Sequence, residues 1–359
     1  MLETIREFGL EQLAAGEDAD ATWQRHAGFY LALTEEAEPA LWDGAGQVAW
    51  LDRLERERAN LRAALTWAID HDLETAPRLG AALGRFWLTR GPLSEGQSWT
   101  ERLLTAGGER MNPTIRASLL YGAAVLVMNR GDYASANLLL TEGLVRTRAS
   151  DDTHGTARML HAFGNVKSAE GDVERANEQW EQALAFYRQV GDAWGEFAMH
   201  NNLGEGARIR GHVARATRLY EEAQIVAERL HDEIGLTLVL LNHGLMDLAR
   251  GEIAAARGRL TSGLSDSVRL GDVSLIAFAL SGLAPVAERL HQPLAAARLL
   301  GAMAAHCERA GLALQPLEQA LNDQTEAALR QQLNASTAPT PSTRAWRSPW
   351  RRPSPKPWP

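Results

Sequence analysis

The feature that most constrains this 359-residue chain is an internal period of forty residues. Stepping by forty finds glycine five times and histidine once, at Gly91, Gly131, Gly171, Gly211, Gly251 and His291. Glycine commonly ends a helix in the left-handed conformation, because it has no Cβ to clash there. The spacing therefore predicts that one kind of turn between helices recurs six times.

Three further columns repeat with the same period. Two hold small residues, which suit places where helices cross closely, and the third holds mainly large apolar residues, which suit places where the next helix packs. The columns are Gly84, Ala124, Gly164, Gly204, Gly244 and Ala284; Gly96, Ala136, Ala176, Ala216, Ala256 and Ala296; and Thr100, Leu140, Trp180, Tyr220, Leu260 and Leu300. They predict an all-α fold of antiparallel helix pairs with a forty-residue period, stacked into a superhelix.

The chain divides into three parts. Residues 1–70 form an N-terminal segment, in which apolar spacing predicts helices near 2–13, 22–41 and 47–69. Residues 71–333 are the repeats, where glycine or histidine followed by aspartate ends one helix and caps the next. The tail, 334–359, is rich in proline, arginine and tryptophan, so we expect it to be disordered and suspect a shifted reading frame.

Composition is typical of a folded protein and excludes several classes. Hydrophobic residues make up 45% of the chain, and the net charge of −8 gives no reason to expect nucleic-acid or membrane binding. The N-terminus lacks the layout of a signal peptide, and no apolar stretch is long enough to span a bilayer. With Cys307 as its one cysteine, the chain fits a reducing compartment, and we expect a cytoplasmic protein.

Motifs that carry chemistry are missing from the sequence. It contains no HExxH, paired CxxC, GxSxG or GxGxxG motif, so we expect no enzyme activity, no cofactor and no metal. His161, His200 and His243 fall near equivalent places in successive repeats, and we assign them structural roles rather than those of a ligand set.

Two successive repeats resemble the tetratricopeptide signature. One has Asn202-Leu203-Gly204, then Gly211, Ala216, Tyr220 and Ala223, and the repeat before it has Gly164, Gly171-Asp172, Ala176, Trp180 and Ala183. This resemblance implies a tetratricopeptide-like superhelix in which the first helix of each repeat lines the concave surface.

The period and the N-terminal segment together resemble the sensor region of bacterial signal-transduction ATPases that regulate transcription, the NB-ARC-like class. Stretches similar to 1–8, 25–33 and 50–65 follow the winged helix in those proteins. The sequence has no GxxxxGK[ST] phosphate loop and no convincing DNA-recognition helix. We therefore expect a shortened relative, a split-gene partner or a mis-assigned start, and favour a truncated coding sequence.

The tetratricopeptide register predicts which residues face a partner. Polar side chains on the concave face can hydrogen-bond a peptide or a small effector. The predicted groove residues are Tyr121, Asn129, His161, Asn165, Asn201, Glu205 and Arg208. In the next repeat the same face carries Leu238, Leu241, Leu245 and Leu248, so either the groove becomes apolar there or these leucines meet another helix.

The resemblance and the absent motifs predict a non-catalytic scaffold that binds a protein or a small effector, as in the sensor region of an ATP-dependent transcriptional regulator. The alternative is one part of a split or truncated regulator whose ATPase and DNA-binding domains are encoded separately. Its partners would then include an ATPase or a DNA-binding protein, with no direct contact to nucleic acid by this chain.

Overall fold

The computed structural model describes residues 18–42 and 46–336, which are helical throughout apart from short turns and contain no β-strand. The N-terminal helices range in length from 24 residues in the first to 7 residues in the fifth, and one 3₁₀ turn follows them. They are α1 (Ala19–Trp42), α2 (Gln47–Arg56), α3 (Arg58–His71), α4 (Thr75–Ala82), α5 (Gly84–Arg90) and α6 (Leu93–Gly107).

Five antiparallel helix pairs and a final helix follow. The pairs are α7 (Pro113–Asn129) with α8 (Tyr133–Ala149), α9 (Thr153–Ala169) with α10 (Val173–Val190), α11 (Ala193–Ile209) with α12 (Val213–Leu230), α13 (Glu233–Arg250) with α14 (Ile253–Leu270), and α15 (Val273–Arg289) with α16 (Pro293–Ala310). The last helix is α17 (Pro316–Ser336). The predicted all-α superhelix with a forty-residue period is confirmed.

The turns follow the local chemistry that the repeats predict. Gly171 and Gly211 have φ angles of +85° and +74°, and His291 reaches +56° at the equivalent place. At the other end of the helices, aspartate side chains accept backbone N–H groups: Asp192 Oδ1 lies 2.8 Å from Gly195 N and Asp232 Oδ1 lies 3.0 Å from Gly235 N. These caps satisfy donors that a helix leaves unpaired at its start.

The small and large columns pack against each other. Tyr220 is fully buried beneath Gly204, and a Cβ placed on that glycine would lie 2.7 Å from Tyr220 Cε1. Trp180 lies in the same way against Gly164. The repeat period therefore reflects a small residue on the first helix of each pair that makes room for a large side chain on the second.

The N-terminal helices close the superhelix against its far end. Gly91, after α5, lies against Val273 at the start of α15, and the side chain of Arg90 lies against Gly271. One cluster of buried apolar side chains runs from α1–α6 into α13–α15 and includes Leu41, Phe86, Leu241 and Leu275. The superhelix is therefore closed into a ring around its concave surface, a feature that the sequence does not predict.

Other expectations are resolved by the same packing. The helix predicted for 47–69 is divided at Glu57 into α2 and α3. Of the leucine stripe, Leu241, Leu245 and Leu248 are buried against neighbouring helices, so the second of the two alternatives applies to them. The helix predicted for 2–13 and the tail beyond Ser336 lie outside the described residues. No helix in the described ranges is long and apolar enough to cross a membrane.

Candidate ligand-binding cavity

The concave surface of the ring forms an open central cavity of about 350 Å³. The first helices of the repeats line it, and α5 and the end of α1 close one side. Six of the seven residues predicted to face the groove lie around this one cavity: Tyr121, Asn129, His161, Asn165, Asn201 and Glu205. The structure thus brings together side chains from three successive repeats.

A row of side-chain amides crosses the cavity from α9 to α13. Asn165 Oδ1 accepts hydrogen bonds from Trp180 Nε1 at 3.0 Å and from Asn202 Nδ2 at 2.8 Å. Asn201 Nδ2 donates to Asn202 Oδ1 at 3.3 Å, and Asn201 Oδ1 accepts from Asn242 Nδ2 at 2.8 Å. These bonds fix the orientation of each amide and leave the N–H groups of Asn165 directed to no described residue. Asn202, which the sequence analysis missed, is central to this row.

The opposite rim is formed where α7 ends. Asn129 Nδ2 donates to the carbonyl of Val125 at 2.8 Å, and its own backbone carbonyl accepts the N–H of Ala313 at 2.7 Å. Ala313 belongs to the segment between α16 and α17, and Gln315 in that segment also lines the cavity. This connection therefore crosses from the last repeat back to the first pair and bounds the cavity.

Aromatic rings and an arginine form one wall. The rings of Trp42 and Trp194 meet edge to face with their centroids 4.5 Å apart. The guanidinium of Arg85 lies 5.0 Å from the Trp42 centroid and 5.5 Å from the Trp194 centroid. Trp42 comes from the N-terminal segment, outside the repeat register. Arg85 stands eighty residues before Asn165, in the register of a predicted groove residue, but it was not among the residues predicted to face the groove.

His161 is buried in this wall and is neutral at ordinary pH. Burial lowers its pKa to about 3, and the positive charge of Arg158 acts in the same direction. Its Nδ1 lies 3.4 Å from the hydroxyl of Tyr187, a residue whose own pKa burial raises. His161 therefore serves as an uncharged polar group with one ring nitrogen already engaged.

Acidic helix caps meet at the same end of the cavity. Burial raises the pKa values of Asp232 and Asp272, which cap α13 and α15. Burial alone would also raise the pKa of Asp192, but hydrogen bonds from His154 and from the backbone of Gly195 outweigh it and lower the value. Three helices thus direct their N-terminal ends toward Trp42 and Arg85.

Arg208, the seventh predicted residue, lies elsewhere. It lines a smaller cavity of about 130 Å³ beneath α17, together with Leu245, Ser281 and Glu318. Its guanidinium is 4.0 Å from Glu205, and burial together with the nearby charge of Glu205 raises the pKa of Glu318 to about 8. The face on which Arg208 lies was predicted to be open, but α17 covers it.

The described residues contain no group of three or more histidine, cysteine, aspartate or glutamate side chains placed to hold a metal ion. The cavity offers amide, indole, guanidinium and carboxylate groups along with aromatic walls. Such a set can bind and orient a ligand through hydrogen bonds, charge and apolar contact.

No protein-family model matches the chain, and no curated protein matches it. Several solved structures are similar to it. NprR in complex with its cognate peptide NprX is 14% identical with a TM-score of 0.54, over 82% of this chain and 84% of that one. A Rap protein complexed with Competence and Sporulation Factor is 11% identical with a TM-score of 0.57, over 78% and 77%.

A third similar structure is a signal transduction ATPase with numerous domains from Pyrococcus horikoshii, PH0952, which has a tetratricopeptide repeat sensor. It is 15% identical with a TM-score of 0.52, and the match covers 80% of this chain but 45% of that one. Identities this low establish the fold alone. The chain is accordingly a superhelix of the tetratricopeptide-repeat type, closed on itself around a central cavity.

Proposed function

We propose that this protein is a non-catalytic scaffold that binds a peptide segment of a partner protein, or a small effector of similar chemistry, in its central cavity. The observation that carries the proposal is the row of oriented amides, Asn165, Asn202 and Asn201, facing a cavity with aromatic walls. The structural similarity to NprR, which was crystallised with a peptide, supports the same conclusion.

The chemistry of a peptide suits this row of amides. An extended peptide presents N–H and C=O groups along its backbone, and an asparagine side chain offers both a donor and an acceptor. Because the amides are already held by Trp180 and Asn242, little side-chain freedom is lost when a ligand binds. Apolar side chains of the peptide would meet Trp42, Trp194 and Phe197.

A second function is favoured by the similarity to PH0952. There, a tetratricopeptide sensor belongs to a larger ATPase, and the present chain matches less than half of that protein. This chain would then act as the sensor of an ATP-dependent regulator, with ATPase and DNA-binding partners supplied as separate polypeptides. Co-expression with the products of neighbouring reading frames, followed by size-exclusion chromatography, tests this arrangement. Elution of the chain alone at micromolar concentration would count against it.

The peptide proposal is tested by affinity selection. The purified chain is immobilised and exposed to a random octapeptide library, and the retained peptides are measured by fluorescence anisotropy. Replacing Asn165 by leucine removes hydrogen bonds to the ligand, and we expect the affinity to fall about tenfold, since 1.4 kcal/mol corresponds to a factor of ten.

The matched control is Asn137→Leu on α8. The Asn137 side chain donates to the carbonyl of Tyr133 and to Glu170, and it does not line the cavity. Peptides retained by the wild type should bind this variant unchanged. Retention of no peptide, or equal weakening by both substitutions, would contradict the proposal.

A further inference from the structure

One end of the central cavity concentrates buried polar atoms that have no hydrogen-bond partner among the described residues. Two of them are donors that line the cavity, Arg85 Nε and Trp194 Nε1. The other two, Gln47 Oε1 and Asp232 Oδ2, are acceptors, and the Gln47 side-chain amide lies within hydrogen-bonding reach of the Asp232 carboxylate. Buried polar groups are rarely left unpaired in folded proteins, so a concentration of them beside a cavity indicates a place where a polar ligand group is received.

Arg85 is the centre of this group. Trp42 and Trp194 cover its guanidinium, while its N–H groups lie in the plane of the fork and remain available. It forms no ion pair within 4.0 Å of a described carboxylate. The other described arginines that lack both hydrogen bonds and ion pairs are exposed, with the exception of Arg158.

Arg158 adds a second positive charge nearby. Its guanidinium lies 4.1 Å from the ring centroid of Tyr121 and 5.6 Å from that of Trp42. No described carboxylate is within 4.0 Å of it either. Two stacked guanidinium groups therefore surround Trp42 at the edge of the cavity.

Each of the two acidic side chains that line this end of the cavity uses one carboxylate oxygen to cap a helix. Asp232 Oδ1 accepts the N–H of Gly235, and Asp272 Oδ1 accepts those of Ser274 and Leu275. Burial raises the pKa values of both carboxyl groups. The N-terminal ends of α11, α13 and α15 also point here, and helix N-termini favour anions.

We propose that this end of the cavity binds a carboxylate of the ligand, with the Arg85 guanidinium as its principal partner and Trp194 Nε1 as a second donor. The inference rests on the proposed binding of a peptide and specifies one chemical group of that ligand. A carboxylate matches the planar fork of an arginine, which can donate two parallel hydrogen bonds to it. The carboxylate is either the C-terminus of the peptide or an aspartate or glutamate side chain.

The test is affinity selection with three N-acetylated octapeptide libraries on the full chain. One library has a free C-terminus, one has an amidated C-terminus, and one is amidated and contains asparagine and glutamine in place of aspartate and glutamate. Selections use the wild type, Arg85→Gln and Arg85→Lys. The matched control is Arg102→Gln, since Arg102 also stacks on a tryptophan, 4.5 Å from the Trp99 centroid, but is exposed and outside the cavity.

We expect the library without carboxylates to be retained at least tenfold less than the best of the others. If the C-terminus supplies the carboxylate, the library with the free C-terminus is retained more strongly than the amidated library that keeps aspartate and glutamate, and if a side chain supplies it, these two libraries are retained alike. Arg85→Gln should abolish the preference, Arg85→Lys should retain part of it, and Arg102→Gln should leave it intact. Circular dichroism and thermal melts check that each variant is folded, and the lysine variant, which keeps the charge, covers a failure of the glutamine variant.

The outcomes separate the two proposals. If the wild type retains all three libraries equally, or if Arg85→Gln keeps the preference while folded, the carboxylate site is overturned and peptide binding stands. If the wild type retains no library above the level of an unrelated helical protein, peptide binding fails and the carboxylate site fails with it.

Discussion

Trp42 at the end of α1 meets Trp194 at the start of α11 edge to face, with ring centroids 4.5 Å apart. The two residues belong to different parts of the chain, the N-terminal segment and the third helix pair. Their contact, together with the packing of α5 against α15, closes the superhelix into a ring. The cavity exists because of this closure.

Trp42→Ala should therefore weaken the docking of the N-terminal helices. Truncating a large aromatic residue in a core to alanine lowers the free energy of unfolding by about 3–5 kcal/mol. Because Trp42 is half-buried, we expect this free energy to fall by about 2 kcal/mol. Urea unfolding followed by circular dichroism measures it. Phe29→Ala, at a residue that is 58% exposed on the same helix, should change the free energy of unfolding by less than about 0.5 kcal/mol. Equal effects of the two substitutions would contradict the interpretation.

The glycines of the repeat columns can be tested against a glycine that has room. Gly204→Ala would place a Cβ 2.7 Å from the Tyr220 ring, and overpacking of this kind costs about 1–3 kcal/mol. Gly122→Ala, inside α7 with nothing within 4 Å of the added Cβ, should stabilise by up to about 1 kcal/mol through helix propensity. Thermal melts of both variants measure the difference. If both substitutions stabilised the protein, the Tyr220 ring would have moved aside without cost, and the expected clash at Gly204 would be wrong.

The pH dependence of stability should reflect Glu318. Its pKa is about 8 in the folded protein because the carboxyl is buried next to Glu205, against an ordinary value of 4.5. Between these values the folded state holds a proton that the unfolded state has released, so its contribution to stability falls as pH rises from about 4.5 to 8. Urea titrations at pH 5 and pH 8 give the difference in the free energy of unfolding between the two pH values. Glu318→Gln should reduce this difference by on the order of 1 kcal/mol. Glu326→Gln on the exposed side of α17 is the control, and an identical pH slope in the Glu318 variant and the wild type would rule out this origin.

His161 should give the free energy of unfolding the opposite dependence on pH, in the acid range. Burial lowers its pKa to about 3 from an ordinary value of 6.5, so the unfolded state takes up a proton first. Stability should be fully present above pH 6.5 and fall as pH decreases toward 3. His161→Gln should remove about 1 kcal/mol of the loss between pH 6.5 and 5, measured by urea unfolding. His71→Gln, at an exposed position on α3, should leave the slope as in the wild type. If His161→Gln left the pH dependence of the unfolding free energy unchanged, the cost of protonating the buried imidazole would be excluded as its cause.

Much of the local structure could be predicted because its causes lie close together in the chain. The turn at Gly211 needs a residue that accepts a positive φ, and Asp192 caps α11 from three residues before Gly195. The columns that hold Gly204 and Tyr220 are spaced by the geometry of one helix pair. The tetratricopeptide register also located six side chains that line the cavity, since the same helix face recurs in each repeat.

The misses have a common cause. Asn202 adjoins a predicted residue, but its part in the amide row depends on which neighbour it can reach on α9. Arg208 lies on the expected face, but α17 turns back across that face and encloses it beside Glu318. Each outcome depends on contacts between helices of different pairs, which the pattern along a single helix does not show.

The sequence by itself determined the repeat, its turns, its caps and the small-to-large packing within each pair. Only the tertiary structure decided that the superhelix closes, and with it the meeting of Trp42 and Arg85 with Trp194 and Asp232. The physical reason is that closure depends on small rotations between successive repeats, which add up along the array. No short stretch of sequence encodes that sum, whereas each turn and cap is fixed by residues a few positions apart.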